Sequence, residues 1–356
     1  KMDFRQLSAA RSQSPWLQRT MPIVSSASQM PRSSLISVAI WSCRSSAARA
    51  CGWSPRSQWI SPTIRSVLAT PRHSAYIKIN EGCDHPCSFC IIPQLRGRFR
   101  SRRPESVVRE AEALARQGTR EVTLVGQDTT AYGVDLGVAD GLPGLLERLA
   151  GIDELAWVRF LYCYPNRVTS RLLDTIAANE KLARYLDMPL QHASRNVLAR
   201  MKRGSHGDAF LKLIERIRRA IPGVSLRTTF IVGFPGETET DFRELCDFVR
   251  AAEFDWLGVF SYSDEQTAAS HALDGKVDAE TIEHRRQKLM AIQRKISARK
   301  LRARVGERLH VLLGLDDHQM HVHRQLGNLP AGFNDQRSHA DIRSKMPVHH
   351  IHMQPV

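Results

Sequence analysis

Short apolar runs alternate with amphipathic stretches over residues 76–315, and this alternation predicts six β/α units. The apolar runs are short and nearly continuous, which is typical of strands buried on both faces of a parallel sheet. The predicted strands are Tyr76–Asn80, Glu121–Gly126, Trp157–Tyr162, Tyr185–Met188, Val224–Val232 and Trp256–Tyr262. We therefore expect an α/β fold whose parallel sheet is curved or closed like a barrel.

Segments with helical periodicity separate these strands. The predicted helices are Pro104–Gln117, Leu142–Leu149, Arg167–Ala178, Ser194–Met201, Asp208–Ala220 and Glu239–Ala252. The first of them has proline at its start and Gly118 just past its end, as helices commonly do. A long Arg/Lys-rich helix, Ala279–Ala303, is predicted to follow and to leave this unit.

The two ends of the chain lack this periodicity. Residues 1–70 form an atypical N-terminal region, rich in serine and poor in acidic residues. Residues 316–356 form an atypical tail that holds seven of the fourteen histidines, and its composition favours an unstructured segment. Between the ends we expect a core barrel over 71–277, a linker helix over 278–304 and the start of a further strand at 305–315.

Charge and hydropathy narrow the class of protein. The formal net charge is +15, but much of it belongs to residues 1–75, which hold ten Lys/Arg and one acidic residue. A nucleic-acid partner is therefore possible but not required. No apolar run approaches the roughly 18 residues of a membrane helix, so we expect no membrane partner. The 7 cysteines are too few for a disulfide scaffold, which favours a cytoplasmic location.

Three of the cysteines crowd into a loop just beyond the first predicted strand. Cys83, Cys87 and Cys90 have the spacing C-x3-C-x2-C, so their thiolates can supply three ligands of a [4Fe–4S] cluster and leave one iron open. Structural zinc is the alternative, but it usually takes four ligands in C-x2-C pairs. His85 is an awkward fourth ligand because Pro86 follows it and its reach is short. The spacing therefore favours the cluster.

This loop and three later segments resemble the radical S-adenosylmethionine methylthiotransferases. The matching segments are 82–97 with 100–102, then 124–133, 186–192 and 229–237. Asp84-His85 and Gln191-His192 are similar to the branch of that family that modifies ribosomal protein S12. The tRNA-modifying branch more often has Asn-Lys and Gln-Ser at those places. The likeness covers about residues 70–314.

The resemblance implies a partial TIM-like (β/α)6 barrel that holds the cluster and S-adenosylmethionine at the carboxyl ends of its strands. One electron, from a donor such as flavodoxin, cleaves S-adenosylmethionine to methionine and a 5′-deoxyadenosyl radical. The implied product carries a methylthio group on the β-carbon of an aspartate in ribosomal protein S12. A tRNA methylthiotransferase and an inactive truncated relative remain alternatives, as does, from another class, a basic nucleic-acid-binding protein with structural zinc.

Five further residues at predicted strand ends are candidates for cofactor binding. They are Gln127, Asp128, Gln191, His192 and Gly233. The carboxyl ends of barrel strands are where such folds place their sites. Each residue also has a structural alternative, namely a loop cap, a buried core histidine or a tight turn. We assign no catalytic residue beyond the cluster ligands.

Other arginines and cysteines carry weaker signals. Five arginines crowd the cysteine loop and either attract an acidic surface or form a solvated basic face. They are Arg96, Arg98, Arg100, Arg102 and Arg103. Cys163 and Cys246 lie in strand-like and helical contexts, so we expect both to be buried small side chains.

The two ends depart from the family's pattern. Its members have an N-terminal domain whose three cysteines hold an auxiliary [4Fe–4S] cluster, whereas residues 1–70 contain only Cys43 and Cys51. We assign no auxiliary-cluster ligand to either. The family also ends in a small substrate-docking barrel, the TRAM domain. Arg302–Leu315 resembles its first strand, and the likeness stops there.

Overall fold

The computed structural model describes residues 70–311 and 349–352. Its strands are β1 (Ser74–Lys78), β2 (Asn80–Glu81), β3 (Arg100–Ser101), β4 (Glu121–Val125), β5 (Trp157–Phe160), β6 (Tyr185–Asp187), β7 (Ser225–Val232), β8 (Trp256–Ser261), β9 (Arg308–Val311) and β10 (His349–His352). Its α-helices are α1 (Ile92–Arg96), α2 (Pro104–Arg116), α3 (Gly141–Ala150), α4 (Ser170–Ala178), α5 (Arg195–Arg200), α6 (Gly207–Ala220), α7 (Glu239–Ala252) and α8 (Ala279–Ala303).

Six parallel strands form the barrel in the order in which they occur along the chain. Strands β1, β4 and β5 pair in parallel, and so do β6, β7 and β8. A parallel bridge between Val158 and Leu182 joins the two halves, and the Cys163 amide donates to the Asp187 carbonyl at 2.8 Å. Within the described residues β8 does not pair with β1, so the barrel is open there. The predicted partial (β/α)6 barrel is confirmed.

The core lies between the strands and the helices that cover them. Strand residues such as Ile77, Leu124 and Phe230 are fully buried, as are Leu146 on α3 and Leu245 on α7. Burial of side chains of this size stabilises a fold by about 1.5–3 kcal/mol each. Apolar side chains fill the space between the strands and the helices. Polar groups of the barrel are therefore expected at the carboxyl ends of the strands, where such folds place their sites.

Observed helices and strands begin and end within a few residues of the predicted positions. Helix α1 and the β2–β3 ribbon were not predicted, because elements of five and two residues are too short to show periodicity. The expectation of an unstructured tail is wrong at one place. There β10 pairs antiparallel with β9, with His350 opposite His310. A four-residue strand carries too little alternation to be recognised in sequence.

Helix α8 packs on the barrel, so the expectation that it leaves this unit is wrong. Its residues Arg285, Leu289, Gln293 and Ile296 are buried, and their spacing places them on one helix face. The Gln293 side-chain amide donates to the Phe254 carbonyl at 2.8 Å. The many charged residues on the other faces conceal this narrow buried stripe in the sequence. Among the described residues, no helix is long and apolar enough to cross a membrane.

Candidate cofactor site

A cavity of about 480 Å³ opens at the carboxyl ends of the parallel strands. Its lining residues are Cys83, His85, Cys87, Phe89, Cys90, Ile92, Gly126, Gln127, Tyr162, Cys163, Tyr164, Pro189, Gln191, Arg203, Arg227, Thr229 and Phe260. Each of the six β/α units contributes at least one of them. The cavity therefore lies where this architecture normally places a ligand.

Close backbone contacts shape the cysteine loop. Gly82 has a φ of 77°, and a Cβ there would lie 2.3 Å from the Arg98 carbonyl oxygen, so no other residue fits. The Cys83 amide donates to the Gly97 carbonyl at 3.3 Å, and the β2–β3 ribbon closes the loop below this point. The two arms of the loop are thus held together at the position of the first cysteine.

Ser88 attaches the middle of the loop to the barrel. Its amide donates to the Met201 carbonyl at 3.1 Å, and its hydroxyl donates to the Arg200 carbonyl at 2.8 Å. Its own carbonyl accepts from the Ser270 amide at 2.8 Å. Because Ser88 is buried between Cys87 and Cys90, these bonds fix both thiols relative to the strands.

All three thiols of the loop are half-buried and line the cavity. Burial raises the pKa of Cys83, although a hydrogen bond from the His85 amide at 3.5 Å opposes it. Burial also raises the pKa of Cys90. Cluster ligands are thiolates, so iron must displace these protons on binding. No group of three or more His, Cys, Asp or Glu in the described part is arranged to hold a single metal ion.

The donor set and the cavity fit an iron–sulfur cluster together with a polar ligand. Three thiols of one loop supply ligands of the kind that such clusters take. Gln127 lines the same cavity, and its side-chain oxygen is buried without a hydrogen-bond partner in the described structure. An unpaired buried acceptor is costly unless a ligand satisfies it.

Gln127 and Gln191 line the cavity, as expected of residues at strand ends. The backbone amide of Gln127 donates to the side-chain oxygen of Asn80 at 3.1 Å. Gln191 has a φ of 74°, and Tyr162 of the same cavity has 62°. Such backbone strain in non-glycine residues is typical of functional sites. Their direct contact with a cofactor stays a prediction.

Asp128, His192 and Gly233 lie behind the wall and are not among the lining residues. Asp128 accepts from His85 Nε2 at 2.8 Å and caps the turn at Thr129–Ala131. His192 is fully buried, and burial lowers its pKa to about 3. A Cβ at Gly233 would lie 2.2 Å from Ile282 Cγ1, so this glycine permits close packing of α8. Any cofactor contact of these three also stays a prediction.

Tyr164 and Arg203, which the sequence did not single out, complete the cavity wall. The rings of His85 and Tyr164 stack with centroids 3.8 Å apart, and Arg203 Cζ lies 4.6 Å from the Tyr164 centroid. Buried Asn80 bonds to the loop after β4, where a Cβ on Gly126 would come within 1.9 Å of its side-chain oxygen. Their positions depend on tertiary contacts, which the sequence alone does not show.

The arginines around the loop are largely paired. Arg102 lies 2.5 Å from Glu110 and also donates to the Lys78 carbonyl. Arg96 lies 3.5 Å from Glu81, and Arg98 lies 3.7 Å from Asp84. Acidic residues therefore offset much of this basic face.

Two further cysteines of the described residues are buried, as predicted. Cys163 is 1% exposed and also lines the cavity, a position that its sequence context did not indicate. Cys246 is 3% exposed on α7. Cys43 and Cys51 lie outside the described residues.

Residues 77–249 match the family model of the radical SAM superfamily. Over these residues, which run from β1 into α7, the chain is similar to a superfamily whose enzymes use a [4Fe–4S] cluster with S-adenosylmethionine. Within it, the chain is similar to proteins named ribosomal protein uS12 methylthiotransferase RimO. It is 66% identical over 247 residues to that of Koribacter versatilis (strain Ellin345) and 67% identical over 249 residues to that of Solibacter usitatus (strain Ellin6076).

Both matches cover 69% of this chain, but 49% and 54% of the respective relatives. The chain thus matches about half the length of these relatives. Among solved structures, coproporphyrinogen III oxidase (HemN) from Escherichia coli, a radical SAM enzyme, matches with a TM-score of 0.48 and 18% identity. That match covers 69% of this chain and 55% of the other. The fold assignment rests on the superfamily match and on the strand order described above.

Proposed function

We propose that residues 74–303 form the radical-generating core of a methylthiotransferase that modifies an aspartate of ribosomal protein S12. The observation that carries the proposal is the meeting of three loop thiols and the unpaired Gln127 oxygen in one cavity at the strand ends. Identity of 66–67% to S12 methylthiotransferases supports the choice of reaction and substrate. A cytoplasmic location and an external electron donor such as flavodoxin are parts of the same proposal, whereas no ligands are assigned to the family's auxiliary cluster.

Cys83, Cys87 and Cys90 would hold the [4Fe–4S] cluster, which supplies the single electron that cleaves S-adenosylmethionine into methionine and a 5′-deoxyadenosyl radical. Gln127 and Gln191 line the same cavity and would offer side-chain amide groups to a bound S-adenosylmethionine. Asp128 acts indirectly, since its bond to His85 holds a residue within the cysteine loop. His192 and Gly233 support the strand ends from behind through their packing.

The walls of the cavity also limit access of water. Phe89, Ile92 and Phe260 place apolar surface beside the thiols. Exclusion of water from a closed site protects a reactive intermediate from side reactions. Phe260 is 59% exposed and Tyr162 is 43% exposed, so both lie at the mouth, where a substrate has to enter.

The experiment is a substrate comparison with the full chain, reconstituted anaerobically with iron and sulfide. The protein receives S-adenosylmethionine, a reductant and either ribosomal protein S12 or tRNA, and products are identified by mass spectrometry. We expect 5′-deoxyadenosine in both reactions and a methylthio group on an S12 aspartate in the first.

Other outcomes would assign the chain differently. Methylthiolated tRNA would move it to the tRNA-modifying branch. Production of 5′-deoxyadenosine with neither product would leave a radical core without transferase activity. Zinc binding with salt-dependent affinity for nucleic acid would support the rival class.

A further inference from the structure

The end of helix α5 places an arginine against the cysteine loop. Lys202 has a left-handed φ of 55°, and its amide donates to the Ala199 carbonyl at 3.0 Å. The next amide, that of Arg203, donates to the Leu198 carbonyl at 2.8 Å. This pair of bonds is the Schellman motif that ends many helices. It fixes the backbone of Arg203 at the edge of the cavity.

Three contacts then orient the guanidinium of Arg203. Its Nη1 donates to Cys87 Sγ at 3.6 Å, and its Nη2 donates to the Pro189 carbonyl at 3.0 Å. Its Cζ lies over the Tyr164 ring, whose other neighbour in the stack is His85. A planar guanidinium held at one edge and on one face has little freedom to turn away from the sulfur.

Arg203 differs from the other arginine of the cavity wall. Arg227 lies 2.9 Å from Asp187 and has its counter-ion there. Arg203 is half-buried and, among the described residues, has no carboxylate within ion-pairing distance. A partly desolvated cation without a carboxylate is stabilised by another anion, and here the neighbouring group is a thiol that becomes a thiolate on cluster binding.

We propose that Arg203 is a positioning residue that sets the reduction potential of the cluster through its hydrogen bond and positive charge at Cys87. The proposal rests on the proposed function, since it assumes that Cys87 ligates the cluster. In the step concerned, one electron passes from an external one-electron donor to the cluster, whose core changes from 2+ to 1+. No bond forms or breaks in this step. Hydrogen bonds to the sulfurs and nearby charge are established determinants of such potentials.

The sign of the effect follows from the charges. Reduction adds one negative charge to a cluster that already carries three thiolates, and Arg203 stabilises the more negative state more strongly. Loss of the guanidinium therefore makes reduction harder and lowers the midpoint potential. Lysine keeps the charge but lacks the fork that reaches both the Cys87 sulfur and the Pro189 carbonyl.

The test is a redox titration of the reconstituted full chain, followed by electron paramagnetic resonance of the reduced cluster, with dithionite as donor. Arg203→Gln should lower the reduced-to-oxidised ratio at fixed potential by about tenfold or more, a midpoint shift of about 59 mV per factor of ten. Arg203→Lys should recover part of this shift. Arg195→Gln is the matched control, because it removes the same charge from an exposed position on the same helix.

A purely structural role of Arg203 would reduce iron content or thermal stability and leave the midpoint of loaded molecules unchanged. That result would overturn the proposal. Should Arg203→Gln hold no cluster, Tyr164→Leu decides, because it keeps every charge and removes the ring beneath the guanidinium. Its midpoint should lie below that of the unchanged protein, and an equal value would contradict us. If the unchanged chain takes up no cluster, both this inference and the proposed function fail.

Discussion

Two polar clusters at the carboxyl ends of the strands differ in what surrounds them. The cysteine loop lies at the cavity, which is lined by its half-buried thiols and by Gln127, whose side-chain oxygen is unpaired among the described residues. His192 and Glu237, behind β7, are buried, and Arg285 of α8 lies 3.3 Å from Glu237 Oε1. The first cluster is open toward a ligand, whereas the second joins a helix to the barrel. Position at a strand end alone therefore does not identify a cofactor contact.

Cysteine substitution gives the largest expected contrast. Cys83→Ala, Cys87→Ala and Cys90→Ala should each abolish the intact cluster and the reductive cleavage of S-adenosylmethionine, because three thiolates are the minimum donor set. Cys246→Ala is the matched control, since that thiol is buried on α7 away from the cavity. Iron content and 5′-deoxyadenosine yield measure the effect. Unchanged cleavage in all three loop variants would show that this loop does not hold the cluster.

Arg285→Met should have the opposite effect, since it should lower stability and leave iron binding intact. It leaves the buried Glu237 carboxyl without its cation, which we expect to lower the free energy of unfolding by about 3 kcal/mol. This is the low end of the usual cost, because burial already raises the pKa of Glu237 to about 7 and a proton can replace the cation. Denaturant unfolding measures the loss. Folded protein should keep its full iron content. Loss of the cluster from folded Arg285→Met would show that this buried ion pair and the cysteine loop are coupled, which contradicts the distinction drawn above.

Gly126→Ala should disturb the cavity wall with a smaller effect on stability. The added Cβ forces the Asn80 side chain to move. This movement breaks the hydrogen bonds of that side chain with the backbone amide of Gln127 and the backbone carbonyl of Asp128. We expect a loss of about 1–3 kcal/mol and weaker binding of S-adenosylmethionine to the reconstituted protein.

The double variant Gly126→Ala with Asn80→Ala checks the cause. Asn80→Ala removes the group that the new Cβ would strike, so the two costs should not add. Equilibrium dialysis with S-adenosylmethionine and denaturant unfolding both report the result. Additive losses would show that Gly126 acts through a contact other than Asn80.

The smallest expected effect is the pH dependence contributed by His192. Burial lowers its pKa to about 3, so the folded state holds it neutral, while the unfolded chain takes up a proton near pH 6.5. Its stabilising contribution is therefore present above pH 6.5 and is lost as the pH falls, by at most about 1.4 kcal/mol per pH unit. His192→Gln should lack this part, and its difference from the unchanged protein should narrow on acidification. A constant difference between pH 7 and pH 5 would contradict this assignment.

Local patterns predicted the barrel because its strands are nearly continuous apolar runs and its helices have proline, glycine and capping residues at their ends. They failed for α8, whose single buried stripe is diluted by charged residues on the other faces. They also failed for β10, whose pairing depends on a strand far away in sequence.

The cysteine loop could be predicted because its three ligands lie within eight residues. Arg203 could not, because it reaches Cys87 across a separation of 116 residues. Asp128 and His192 share strand-end positions with Gln127 and Gln191, but side-chain burial, which sequence does not reveal, places them behind the wall. Sites whose residues lie close together in the sequence could therefore be predicted. Contacts between residues that only the fold brings together could not.

The most direct test of the central claim is anaerobic reconstitution of the full chain with iron and sulfide, followed by iron analysis and incubation with S-adenosylmethionine and dithionite. We predict brown protein with about four irons per chain from the loop cluster alone, or about eight if a second cluster forms, and production of 5′-deoxyadenosine. Colourless protein that binds zinc and leaves S-adenosylmethionine intact would contradict the account.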